Sequence, residues 1–310
     1  MIRRRDVVVG LDLGGTKITA MALPVLDDAR EPLHPTSLDP IRRRTPSGTD
    51  QILGSLVEMA REAAGKAAIG AVALGAAGSF DAEGTVTYAT DILPGWTGTP
   101  VAGVLARALQ APVRVVNDVH AAAYAEAHLG RGTQDRCVLM ASVGTGVGGG
   151  CVMDGELMTG ASGRAMALGH IPVAAGTARC SCGETGHVEA HASGPSMELA
   201  FAQGGRRRPL EDVAALAQAG DADARRVISA GARAMGEALA VASAVVDPDL
   251  IVIGGGVAEI GEPFLAPLRE AYALRAQVRG RTARVEPALF GQHSTLMGAI
   301  GLARELVARS

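Results

Sequence analysis

The 310-residue sequence predicts an α/β fold in which helices cover the faces of sheets, and three observations carry that prediction. Two glycine-rich stretches, Gly14-Gly15 and Gly144–Gly150, each sit between apolar β-type runs, the signature of strand, turn and strand. Strand-like apolar runs then alternate with segments of helical spacing. Hydrophobic residues make up 48% and charged residues 20%, which describes a chain with a packed core rather than a disordered one. The length suits one large or two medium domains, with a hinge expected near Asn117, between the two hairpin units.

In chain order, "DVVVGLDLGGTKITAMALP" predicts a hairpin that ends before Pro24. Arg30 to Ser47, with Pro32, Pro35, Pro40 and Pro46, predicts loop and edge strand. Ile52, Leu53, Leu56, Val57 and Met59 have helical spacing within Asp50–Ala64, and Ile69–Leu74 is a short strand ending at Gly75. A turn-rich stretch and the loop bearing the lone tryptophan, Trp96, lead to a helix at Val101–Leu109 and a buried strand at Val113–Val116. A strong helix follows Asn117-Asp118. Cys137–Ser142 runs as a strand into the second glycine-rich turn, and Asp154-Gly155 between apolar runs is a further hairpin signal. Gly160–Glu189 reads as loop. Helices are expected at Ser193–Ala202, Leu210–Gln218, Ala222–Val246, Pro263–Ala273 and Leu296–Ala308, with a Gly-Gly-Arg linker before the second of them. Strands are expected at Leu250–Ile253, running into Gly254–Gly256, and at 283–288. The two similar hairpins hint at a weak internal duplication.

Composition excludes several classes of function. A net charge of −3 and 3% aromatics leave neither an electrostatic footprint nor stacking platforms for nucleic acid. The basic runs Arg3–Arg5, Arg42–Arg44 and Arg206–Arg208 are short and scattered, as on a solvated surface. The apolar run Val7–Val9 is too short for a signal peptide, and no run reaches the length of a membrane span. Four cysteines in a chain of this size do not make a disulfide scaffold, so the expected location is cytoplasmic.

Several stretches could carry chemistry. Gly144-x-Gly146-x-x-Gly149 matches the letters of a dinucleotide fingerprint, but a hairpin follows where that fingerprint needs a helix. The order Thr16-Lys17 likewise rules out a Walker loop. Turns of this kind can instead hold an anion on backbone N–H groups. Asp118, at a strand end and a helix start, is either a helix cap or a ligand-facing carboxylate, or both. His170, Cys180, Cys182 and His187 form Cys-x-Cys-x4-His with a His ten residues upstream, a donor set that suits tetrahedral zinc, with free thiols as the alternative. Four protein ligands would make such a zinc structural. Cys137 and Cys151 lie in apolar runs and read as core. Gly254-Gly255-Gly256 is either a structural turn or a loop passing close to a nucleotide.

In this order the pieces resemble the ROK family (repressor, open reading frame, kinase) of bacterial sugar kinases, of glucokinase and N-acetylmannosamine kinase type, from about Val7 to the last helix. "DLGGTK" at 12–17 and "VGTGVGGG" at 143–150 look like the family's two phosphate hairpins. "GAAG" at 75–78 and "LPGW" at 93–96 resemble stretches lining the sugar cleft. "NDVHAAA" at 117–123 is similar to the motif whose Asp is the catalytic base. "CSCGETGHVEAHASG" at 180–194 resembles the zinc motif with its sugar-contacting Glu, and "IVIGGGV" at 251–257 the adenosine-side loop. Two departures stand out. His187 replaces the usual third Cys, which zinc tolerates. In "GRAMALGH" at 163–170, Met166 and Ala167 replace a usual Gly-Glu pair whose Glu contacts the sugar ring. Some N-acetylmannosamine kinases also lack that Glu.

The resemblance implies an actin-like (ribonuclease H-like) fold of two α/β domains closing on a central cleft. The smaller N-terminal domain would comprise 1–117 plus about 296–310, and the larger, 118–295, would carry the zinc-binding loop. It implies ATP-dependent phosphorylation of the 6-hydroxyl of a hexose or N-acetylhexosamine, with Mg²⁺ and a structural Zn²⁺. Asp118 would be the base, and Gly78, Asn117, His170 and Glu189 would hold the sugar. Asp12, Gly14, Gly15, Thr16, Lys17, Gly144, Thr145, Gly146, Gly254, Gly255 and Gly256 would serve ATP and its metal. His170, Cys180, Cys182 and His187 would bind zinc. The partners implied are sugar and ATP, without nucleic acid or membrane, in a homodimer or homotetramer. The alternatives are a kinase-like sugar binder with little turnover, prompted by Ala167, and a transcriptional regulator of the same family. The regulators carry an N-terminal DNA-binding module, for which a hairpin starting at Val7 is expected to leave no room.

Overall fold

The computed structural model describes residues 7–25, 39–89, 93–174, 176–202, 207–276 and 282–309. The basic run Arg3–Arg5, the stretch 30–38 and the Gly-Gly-Arg linker ending at Arg206 lie outside the described residues. The chain divides into two compact units, one of 1–134, 150–165 and 293–310, the other of 135–149 and 166–292.

In the first unit the opening hairpin forms as expected, β1 (Val7–Leu13) pairing antiparallel with β2 (Lys17–Pro24). The edge strand β3 (Ile41–Arg44) joins β2, and β4 (Ile69–Ala76) and β7 (Val113–Asn117) add in parallel, for the order β3-β2-β1-β4-β7. The turn-rich stretch after β4 holds a small two-stranded sheet, β5 (Ser79–Phe80) with β6 (Val86–Tyr88). Alternation along β1 sorts its side chains between faces. Val9, Leu11 and Leu13 join a buried cluster with α1 (Thr49–Ala64) and α2 (Val101–Leu109). Gly10 turns the other way, where α3 (Asp118–His128) and the terminal helix α9 (Ser294–Ala308) lie.

Glycines let α9 dock closely. A Cβ on Gly10 would meet Ile300 Cγ1 at 2.8 Å, and one on Gly298 would meet the Ala121 carbonyl oxygen at 1.7 Å. Packing of α3 on α9 and β4 keeps α3 in the first unit, so the observed division falls after residue 134 rather than at Asn117, and the first unit is the larger. Trp96 is 1% exposed in this unit's core, with Leu93, so of "LPGW" only Pro94 and Gly95 are exposed.

The second sheet repeats the plan of the first. Its order is β10-β9-β8-β11-β12, from β8 (Cys137–Val143), β9 (Val147–Met153), β10 (Glu156–Leu157), β11 (Leu250–Gly254) and β12 (Arg284–Pro287). A hairpin-linked pair again flanks parallel strands, β8 with β11 and β11 with β12. The internal duplication suggested by the two glycine-rich stretches is therefore one of sheet topology. Strand β9 runs from the second unit into the first, where β10 turns back on it at Asp154-Gly155, both at positive φ.

The second unit's helices are α4 (Glu189–Ala192), α5 (Gly194–Ala202), α6 (Leu210–Gln218), α7 (Ala222–Val246) and α8 (Glu262–Ala276). The long α7 packs on α8 through Gly236, where a Cβ would meet the Leu268 carbonyl oxygen at 2.4 Å. Among the described residues, no helix is long and apolar enough to cross a membrane.

Candidate active site

In the first unit, β7 ends at Asn117 and α3 begins at Asp118. The cap is Asn117, not Asp118. Its Oδ1 accepts the N–H groups of Val119 (2.9 Å) and His120 (3.3 Å), and its Nδ2 donates to the Gly78 carbonyl at 3.0 Å. Capping by the neighbour leaves Asp118 with the Val119 N–H, 2.9 Å from its Oδ1, as its own contact. Gly78, at φ 120°, is thereby fastened to the start of α3.

Strand register brings a second carboxylate to this place. Asp12 lies on the same face of β1 as Gly10 and pairs with Gly75 of β4. A Cβ on Gly75 would lie 3.6 Å from Asp118 Cα, so a residue without a side chain separates the two acids. Burial, with Asp118 nearby, pushes the Asp12 carboxyl up to about 7 against the pull of Lys17. Burial also raises the pKa of Asp118, countered by the Val119 N–H and the proximity of His120. Two carboxylates in a desolvated setting favour either a proton or a cation between them.

His120, one turn beyond Asn117, was not singled out in the sequence. It is buried, and burial lowers its pKa against the opposing pull of the Ala165 carbonyl and of Asp118. Nε2 sits 3.0 Å from the Ala165 carbonyl and carries the proton, since a carbonyl only accepts.

The first hairpin turn is held by Thr45, which follows β3. Its Oγ1 donates to the Gly14 carbonyl at 2.7 Å and its N–H to the Thr16 carbonyl at 3.0 Å. Gly15, Thr16 and Lys17 are exposed. Arg43 is spent on α1, paired with Glu58 at 3.1 Å and with Glu62, while Arg42 and Arg44 are exposed, as a solvated basic run should be.

In the second unit, the turn Gly144–Gly146 closes through Gly144 N–H to the Gly146 carbonyl at 2.9 Å. Gly144, Thr145 and Gly256 line one cavity of about 620 Å³, together with Leu210, Ala214 and Ile260. Of the three-glycine loop, only Gly256 reaches it. A Cβ on Gly254 would meet Met140 Cε at 2.5 Å, and one on Gly255, at φ 83°, the Val143 carbonyl oxygen at 2.3 Å. The cavity's helical wall, from α5 and α6, carried no motif that could have found it.

His170, Cys180, Cys182 and His187 come together with ligand atoms within 4.8 Å of one another. His170 Nδ1 lies 3.4 Å from His187 Nδ1 and 3.9 Å from Cys180 Sγ, and Cys182 Sγ lies 3.2 Å from His187 Nδ1. Tetrahedral zinc, with bonds of about 2.0–2.3 Å, separates its ligands by about 3.3–3.8 Å, so this set fits the ion. Both histidines turn Nδ1 inward, which leaves Nε2 of His170 for another partner. Glu189 begins α4, and its Oε2 accepts the Val147 N–H at 3.0 Å while its Oε1 accepts the Ser181 hydroxyl at 2.7 Å.

Just before this cluster, Met166 holds φ 61°, a left-handed conformation suited to glycine. The backbone that the resemblance assigns to a glycine thus persists without one, and Ala167 beside it is exposed.

The family model described as the ROK family matches residues 8–306. A glucokinase of Streptomyces coelicolor is 31% identical over 322 residues, covering 96% of this chain and 98% of that protein. An N-acetyl-D-glucosamine kinase of Escherichia coli O9:H4 is 32% identical over 307 residues, covering 94% and 97%. The crystal structure of a ROK family glucokinase from Streptomyces griseus, in complex with glucose and AMPPNP, superposes with a TM-score of 0.81 at 28% identity, covering 96% of this chain and 99% of that one.

Proposed function

Since the chain belongs to the ROK family and has its two-domain, actin-like fold, we propose that it is an ATP-dependent sugar kinase that phosphorylates the 6-hydroxyl of a hexose or N-acetylhexosamine. The observation that carries this reading is Asp118: a carboxylate at a helix start, freed from capping by Asn117 and raised in proton affinity by burial. Those are the properties of a general base for a hydroxyl proton.

Phosphoryl transfer needs position and charge neutralisation more than covalent chemistry. In this reading Gly78, Asn117, His170 and Glu189 contact the sugar. Gly14–Lys17 and Gly144–Gly146 hold phosphates, and the cavity at Gly256 takes the nucleoside. Mg²⁺ bound with the nucleotide would supply charge neutralisation for its phosphates. Asp12 would order the water around that ion, which suits a carboxylate that burial, and then Asp118 beside it, leave in need of a positive partner. His170, Cys180, Cys182 and His187 would hold a structural zinc that orders a loop with little core of its own.

The family resemblance also supports a cytoplasmic homodimer or homotetramer. The second reading, a sugar binder with little turnover, rests on Ala167, which has no acceptor to offer a sugar hydroxyl. ADP release from ATP, measured across glucose, mannose, fructose, N-acetylglucosamine and N-acetylmannosamine, separates the two. Turnover with one of these supports the kinase, and sugar binding without ADP release from any of them overturns it.

A further inference from the structure

We propose that Ser181 and Glu189 form a strut that makes the shape of the second phosphate hairpin depend on the zinc loop, so that Ser181 is a positioning residue for the nucleotide. The inference rests on the sugar-kinase reading for its kinetic consequence but not for its structural one.

Glu189 is built into a confined place. Its Oε2 takes the Val147 N–H at 3.0 Å, the first residue of β9 after the turn Gly144–Gly146. A Cβ on Gly146 would stand 2.9 Å from that same oxygen. A Cβ on Gly169, which precedes the ligand His170, would stand 3.3 Å from it and 2.3 Å from the Val147 carbonyl oxygen. Two glycines therefore make the room in which a carboxylate reaches the hairpin. The other oxygen, Oε1, accepts the Ser181 hydroxyl at 2.7 Å, a charge-assisted bond, with Cys180 Sγ at 3.8 Å. Behind the carboxylate, the Glu189 backbone carbonyl accepts from Ser193 N–H at 3.2 Å and Ser196 Oγ at 2.9 Å, which anchors the residue to the start of α5.

Ser181 is not a metal ligand. It stands between Cys180 and Cys182, so its hydroxyl is aimed only while both thiols hold the loop in place. Each oxygen of a carboxylate has two acceptor sites, so a sugar hydroxyl could still donate to Glu189 with the strut intact. The two roles differ in what they move. Loss of a sugar contact raises KM for sugar, whereas loss of the strut loosens the turn that holds phosphates.

The test is Ser181→Ala beside Ser181→Thr, which keeps a hydroxyl. Ser181→Ala should retain one zinc per chain by elemental analysis and a sugar KM within about twofold. Its dissociation constant for AMPPNP should rise by about five- to tenfold, as expected for one charge-assisted hydrogen bond, and Ser181→Thr should recover most of that loss. Hydrogen exchange at the Val147 amide supplies a readout that needs no turnover: protection should drop in Ser181→Ala and in the wild-type protein after chelation of zinc. Unchanged Val147 protection in both, or a rise in sugar KM with AMPPNP affinity unchanged, overturns the strut. Failure of the wild type to bind AMPPNP at all would instead strike the kinase reading, leaving the exchange experiment to decide the strut alone.

Discussion

Replacing Asp118 by Asn keeps the side-chain volume and an oxygen for the Val119 N–H but removes the proton acceptor. We expect kcat to fall by about 10²–10⁴-fold, with the melting temperature unchanged or raised, because burial already disfavours the ionised form; unchanged turnover would refute the base. Asp12 gives a pH signature. Its folded pKa, about 7, lies above its ordinary value of 3.8, so the native state binds the extra proton between them. The group's contribution therefore falls as pH rises from about 4 to about 7. Denaturant titrations of metal-free protein should show that loss, and Asp12→Asn should remove it. At Met166, glycine should relieve the left-handed strain and stabilise the protein by about 1 kcal/mol, read as a higher denaturation midpoint at unchanged slope. Residue identity made the candidate acid Asp118 and the cluster of His170, Cys180, Cys182 and His187 legible. The capping role of Asn117, the bond of His120 to the Ala165 carbonyl and the anchor Thr45 were not, because each is defined by a hydrogen bond to a residue distant or unremarkable in sequence.

Among the elements, α9 tests the close docking that binds it to the first unit. The Ala121 carbonyl leaves no space for a methyl group on Gly298, so Gly298→Ala should cost about 2 kcal/mol or more, by overpacking between α3 and α9. A midpoint within experimental error of wild type would contradict that contact. Strands and long helices were readable from periodicity, since their burial alternates with periods that sequence displays. The small sheet of β5 and β6 was missed because its strands are two and three residues long, too short to show a period. The split of the chain was misplaced for a related reason: α3 follows the strand that ends at Asn117, but its partner is α9, some 170 residues later. The loop that holds the His/Cys cluster has little core of its own, so under the zinc proposal its order should depend on the ion; chelation should expose it to proteolysis between 171 and 188 while the helices stay protected.

At the scale of the whole molecule, two sheets of one plan each present a glycine turn after the first strand of a hairpin, and each unit holds half of the residues proposed for the reaction. If the chain binds both substrates of a sugar kinase, AMPPNP and sugar should each raise the melting temperature, and each should stabilise by about 2.7 kcal/mol at one hundred times its dissociation constant. The α/β class, both hairpins, the acid at 118 and the His/Cys cluster were all visible in the amino-acid order, because each depends on local spacing, turn chemistry or residue type. The glycine-rich stretch at 144–150 was among them, though its letters alone also matched a dinucleotide fingerprint. Tertiary structure alone decided which atoms meet. It set Asp12 across Gly75 from Asp118, gave the cap to Asn117, turned Gly256 rather than its neighbours into a cavity, and ran Glu189 between the zinc loop and Val147. Those outcomes follow from strand register and close backbone approach, which arise between segments far apart in the chain and leave no periodic trace in any one of them.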